Sequence, residues 1–118
     1  MVGIDLVVTK RIKRLIKNRQ FLSRVFAEEE IAYCEKKRNR EQHYSARFAA
    51  KEAVWKALKG KFQIALKDII VKNLDNGKPL IEFNTSIKKL KKVQVEVSLS
   101  HTENYAVAVA MIKNKVVK

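Results

Sequence analysis

The stretch "RFAAKEAVWKALKG", residues 47–60, decides the fold. It is dense in strong helix formers, and from Glu41 to Leu58 there is neither glycine nor proline. This composition predicts the longest helix of the chain over 41–58, with Gly60 placed to end it. At about 100° per residue, Tyr44, Phe48 and Trp55 share one stripe, which predicts a core-facing side. Glu52 lies at the edge of that stripe with Lys56 one turn further on. Alone, such a pair is a helix-surface contact worth about 0.2–0.5 kcal/mol.

Upstream, residues 2–8 are β-rich and mostly apolar, a buried strand interrupted at its middle by Asp5. An acid there needs a reason. Thr9 is placed to cap a basic helix, "KRIKRLIKN", in which Ile12, Leu15 and Ile16 form one apolar face. The run "AEEEIAYCEKKR", residues 27–38, opens with acids and closes with bases, complementing a helix macrodipole. Beyond Gly60 the character changes. "DIIVKNL" and "LIEF" read as strands around a turn of Asp75, Asn76, Gly77 and Lys78, and "VQVEVSLS" and "YAVAVAMI" alternate as half-buried strands joined by "HTEN". The class is therefore α+β: one N-terminal strand, three helices of which the third is longest, then four antiparallel strands, in a single domain over 1–118.

The 26 Lys and Arg against 12 Asp and Glu give a formal charge of +14, which steers polyanions toward the surface. The lone Cys34 excludes a disulfide framework and a cysteine-based zinc site, and suits a reduced, cytoplasmic setting as a small buried apolar residue. "MVGIDLVVTK" lacks the features of a signal peptide, and "AVAVAMI" is far shorter than the roughly 20 residues of a spanning helix. A soluble protein is expected. Three glycines, Gly3, Gly60 and Gly77, supply neither a P-loop nor a dinucleotide fingerprint, and there is no serine hydrolase signature. A basic nucleic-acid-binding or polyanion-binding module would account for the charge, and an amphipathic membrane-surface anchor for residues 10–20, but both leave Asp5 and Glu52 without a role. Two carboxylates with bases beside them are what Mg²⁺ on a phosphate ester requires. His101, directly after a strand ending "SLS", is a third polar residue in an unexpected place.

The segments "GIDLV" (3–7), "FAEEEIAYC" (26–34), "ARFAAKEAVWKAL" (46–58), "NGKP" (76–79) and "VSLSHTENYAVAVA" (97–110) resemble the holo-acyl-carrier-protein synthase family, in that family's order and over nearly the whole chain. The resemblance implies a 4′-phosphopantetheinyl transferase serving fatty acid biosynthesis. Such an enzyme moves the phosphopantetheine arm of coenzyme A to a serine of apo acyl carrier protein, requires Mg²⁺ and releases adenosine 3′,5′-bisphosphate. It further implies Asp5 and Glu52 as metal ligands, Lys56 as a catalytic contact to the coenzyme A phosphates, and Arg47, Lys51 and His101 as coenzyme A contacts. Arg11 on the first helix would meet acidic side chains of the carrier protein, with Leu15 and Phe21 offering apolar contact. A homotrimer with sites between protomers is implied in the same way, as are a cytoplasmic location and independence of nucleic acid and membrane. The base that deprotonates the serine is left open among Glu52, a metal-bound water and a neighbouring side chain. The chain departs from the family in "KGKFQ" after "KAL", in Ala27 at a capping position, and in Trp55 where a smaller residue is usual.

Overall fold

Alternation makes Val2–Val8 a strand, β1, with Gly3, Asp5 and Val7 pointing inward and Val2, Ile4, Leu6 and Val8 outward. Four helices follow: α1 (Thr9–Leu15), α2 (Arg19–Val25), α3 (Glu28–Glu35) and α4 (Arg40–Leu58). A 3₁₀ turn at Leu66–Asp68 leads into strands β2 (Ile69–Asn73) and β3 (Pro79–Phe83), then a one-turn helix, α5 (Lys88–Lys91), and strands β4 (Gln94–His101) and β5 (Tyr105–Lys113). The structure, a computed structural model, describes residues 1–73 and 76–113, so Asp75 of the expected turn lies outside the described residues.

The α+β class and the position of the longest helix are as expected, and Gly60 follows that helix at φ +75°. Gly77 likewise takes φ +84° in the turn before β3. Three local expectations are corrected. "FLSRVF" lies largely within α2, a helix not foreseen; the Asn18 side chain caps it by accepting from the amides of Gln20 (2.8 Å) and Phe21 (3.3 Å). Four helices rather than three therefore precede β2, and the longest is the fourth. Thr9 is not a cap but the first helical residue: its amide donates to Asn104 O at 2.9 Å and its hydroxyl is buried. Trp55 leaves the core stripe and is 50% exposed, whereas Tyr44 and Phe48 are buried.

The later strands do not form one run. β2 and β3 make a separate hairpin, while β4 and β5 join the N-terminal strand in a sheet of order β1-β5-β4, antiparallel throughout. Opposite Asp5 in this register stands Ala108, and opposite Gly3 stands Ala110. α4 lies across the inner face of the sheet, burying Ala49, Ala50, Ala53, Val54, Ala57 and Leu58 with Val7 of β1 and Ala106, Ala108 and Ala110 of β5. Small residues on both surfaces allow the backbones to approach closely. At Gly3 they nearly touch: a Cβ there would lie 2.0 Å from Ala53 O and 2.7 Å from Ala57 N, so only glycine fits.

Candidate active site

Asp5 is the inward side chain next after Gly3 on β1, and the close seat of that strand on α4 brings it to the helix face carrying Glu52 and Lys56. Lys56 Nζ donates to Asp5 Oδ1 at 3.0 Å and to Ile4 O at 3.1 Å. The Asp5 side chain is 15% exposed and that of Lys56 47%, so the lysine closes the outer side of the acid while keeping one ammonium hydrogen for solvent or ligand. Burial, and next the Asp5 carboxylate, push the Glu52 pKa above the usual carboxylate range, with Lys56 and Arg11 pulling it back. The two acids thus sit close enough to repel, with Lys56 and Arg11 opposing that repulsion. Among the described residues no three or more His, Cys, Asp or Glu side chains converge, so this place offers two carboxylates, the number Mg²⁺ takes when phosphate oxygens and water fill its other positions. The donor set fits that ion.

Arg47 and His101 belong to a second cluster. Arg47, 5% exposed, lays its guanidinium 4.1 Å from the centre of the Tyr33 ring and donates through Nη2 to Asn73 Oδ1, while its Nε is buried without an acceptor. His101, the last residue of β4, is exposed with its ring centre 6.1 Å from that of His43 on α4.

Lys51 corrects the sequence reading. It is wholly buried, and its ammonium is spent on Glu30 Oε1 (2.6 Å), Leu66 O (3.0 Å) and Ile69 O (2.6 Å), leaving no hydrogen for coenzyme A. Burial lowers its pKa, with Glu30 opposing. Glu30, also wholly buried, accepts in addition from the amides of Ala27 and Val71, both at 2.9 Å. The pair is a structural tie among α3, α4 and β2.

On the helical side, Arg11 is exposed on α1, whereas Leu15 and Phe21 are half-buried against the core; the Phe21 ring centre lies 6.2 Å from that of Phe26 and 6.1 Å from that of Phe48. Leu15 and Phe21 therefore serve packing first and can offer only their outer edges to a partner. Cys34 is buried as expected, its pKa pushed up to about 12 chiefly by desolvation, so it is chemically quiet.

A model of the 4′-phosphopantetheinyl transferase superfamily matches residues 1–110. The chain belongs to this family. A holo-acyl-carrier-protein synthase of Thermodesulfovibrio yellowstonii is 42% identical over 113 residues, covering 94% of this chain and 96% of that one. One of Clostridium tetani is 41% identical over 120 residues, covering 97% and 95%. Among solved structures, a holo-acyl-carrier-protein synthase from Bacillus anthracis in complex with CoA (3′,5′-ADP) superposes with a TM-score of 0.82 at 30% identity, covering 97% of this chain and 96% of that one. The Helicobacter pylori enzyme in complex with coenzyme A does so with a TM-score of 0.83 at 29% identity, covering 96% and 100%.

Sequence reasoning missed Glu30, Tyr33 and His43. Glu30 carried a weak signal, as the third acid of "AEEE" three residues after a helix start. Tyr33 and His43 had none, because their partners come from other elements.

The raised Glu52 pKa sets a testable sign. Its charged form is disfavoured by folding, so the penalty is fully present above the folded-state pKa and vanishes below the ordinary glutamate value. Without divalent ions, Glu52→Gln should melt at a higher temperature than wild type at neutral pH, and the difference should close as the pH falls toward about 4. A variant less stable than wild type at neutral pH would contradict this electrostatic account.

Proposed function

We propose that the chain transfers the 4′-phosphopantetheine group of coenzyme A to a serine of an apo acyl carrier protein, in a Mg²⁺-dependent reaction that releases adenosine 3′,5′-bisphosphate. The observation that carries this reading is the convergence of Asp5, Glu52 and Lys56 across the seam between β1 and α4. Serine gives up its hydroxyl proton to a base at the site as its Oγ attacks the β-phosphorus, the bond from that phosphorus to the bridging oxygen breaks, and the bisphosphate leaves with the bridging oxygen. Such a step asks mainly for in-line positioning and neutralisation of pyrophosphate charge. Asp5 and Glu52 would hold the ion, which when bound supplies part of that neutralisation. Lys56 is half-exposed, with one ammonium hydrogen left to meet a phosphate oxygen. Arg47 and His101 are the proposed further contacts to coenzyme A.

An acidic carrier protein suits a +14 surface, because complementary charge raises the rate of encounter. Arg11, exposed on α1 and near enough to Glu52 to lower its pKa, would link carrier docking to the carboxylate pair. No helix among the described residues is long and apolar enough to cross a membrane. A cytoplasmic role in fatty acid biosynthesis completes the proposal.

The outer face of the sheet offers a surface for the homotrimer that the family resemblance implies. Val2, Ile4, Leu6 and Val8 of β1 stand opposite Met111, Val109, Val107 and Tyr105 of β5, and of these only Val107 is not exposed. A contiguous apolar face of this kind marks an interface.

The reaction is tested by incubating the protein with coenzyme A, Mg²⁺ and an apo acyl carrier protein and following the mass of the carrier. The expected gain is one phosphopantetheine, abolished by chelator and reduced at least about 100-fold in Glu52→Ala, in keeping with loss of an electrostatic catalytic contact. A folded protein that modifies none of several carriers would return the reading to polyanion binding. Sedimentation equilibrium should give three times the chain mass, falling to that of the monomer in Leu6→Glu; a monomeric wild type would refute the assembly.

A further inference from the structure

The cluster around Arg47 gathers cationic side chains that form no ion pair among the described residues. Tyr33 of α3 lies between two cations, with Lys37 Nζ 4.5 Å and the Arg47 guanidinium 4.1 Å from its ring centre. His43, one turn before Arg47 on α4, sets its ring edgewise to Tyr33 at 5.9 Å and tilted to His101 at 6.1 Å. Arg40, a turn earlier still, is taken up by Glu35 at 2.7 Å. Among the described residues no carboxylate pairs with Lys37, His43, Arg47 or His101. Arg47 faces the neutral amide of Asn73, and its buried Nε has no acceptor. A buried guanidinium left this way is costly unless an anion arrives. Desolvation first, then Arg47, Lys37 and His101, hold the His43 imidazole below its usual pKa, so it waits neutral beside them.

We propose that His43 is a proton-coupled contact for the phosphate monoester of coenzyme A, taking up a proton as that group settles among Lys37, Arg47 and His101. The inference rests on the transferase reading and deepens it. A dianion in this place opposes the local field: its two charges offset those of Lys37 and Arg47 that now disfavour the imidazolium, and so favour it. The pyrophosphate of coenzyme A has no ionisation near neutrality, whereas the monoester is already dianionic above about pH 7. Proton uptake above that pH therefore reports the protein and not the ligand. His43 acts as a positioning residue that tightens binding as the pH falls.

The test is calorimetric titration of the full chain with coenzyme A and, separately, with dephospho-coenzyme A, in two buffers of different ionisation enthalpy near pH 7.5. Wild type should take up protons with coenzyme A and none with dephospho-coenzyme A. Its affinity for coenzyme A should weaken severalfold from pH 7 to 8.5, bounded by about tenfold per pH unit for one proton. His43→Phe, which keeps an aromatic ring between Tyr33 and His101, and His43→Gln, which keeps polarity, should bind with at most half the uptake and a pH profile flat to within about twofold. Equal uptake in wild type and both variants, no uptake in wild type, or the same uptake with dephospho-coenzyme A would each overturn the assignment while leaving the transferase reading standing. Absence of any coenzyme A binding by wild type would overturn both.

Discussion

The contact between Gly3 and the backbone of α4 is the constraint on which the rest of the molecule depends. Any side chain there would meet Ala53 O at 2.0 Å, so the strand can seat on the helix only where its Cβ is missing. The alanines at 49, 50, 53 and 57 and those of β5 extend the same close approach along the sheet. Side chains alternate along a strand, so fixing Gly3 inward also fixes Asp5 inward. The acid in the apolar strand, unexplained by local pattern, is thereby delivered to Glu52 and Lys56. Packing and chemistry share one seam.

The large positive charge divides into groups with different physical duties. Lys51 is an internal tie: with Glu30 it occupies a site of no solvent exposure, where removing either partner would leave an uncompensated buried ion at a cost of about 3–5 kcal/mol. Because Glu30 also receives the Val71 amide, this tie anchors the β2-β3 hairpin to the helical layer. Lys56 faces the carboxylate pair and Arg11 stands near it, while the Arg47 cluster is held apart by Tyr33 and Asn73. Proximity in sequence misleads here. Lys51 and Glu52 are adjacent, yet one is sealed in the core and the other lines the candidate site.

The sequence disclosed what is local. The long helix, its glycine stop, the turn at Gly77 and the alternation of β4 and β5 all follow from propensity and period, and the family motifs pointed to Asp5, Glu52 and Lys56, which the fold brings near one another. What stayed hidden is set by distance along the chain. The pairing of β1 with β5 joins Val2 to Met111, and no periodicity encodes it. The hairpin of β2 and β3 leaves the main sheet for the same kind of reason, since alternation says which face is buried and not which strand lies beside it. α2 was missed because its cap is Asn18, hidden at the end of a basic run. Trp55 falls on the apolar stripe by angle but is carried into solvent, since both the sheet and the other helices pack elsewhere on α4.

Asp5 and Glu52 would form one dication site because β1 and α4 meet. The most direct test is a titration of the protein with Mn²⁺ in the presence of coenzyme A, with free ion read by electron paramagnetic resonance, for wild type, Asp5→Asn and Glu52→Gln. Binding should be tight in wild type and at least about tenfold weaker in each variant, since either carboxylate alone gives the ion half its protein ligands. Wild-type affinity retained in either variant, or no Mn²⁺ binding by wild type, would contradict such a site.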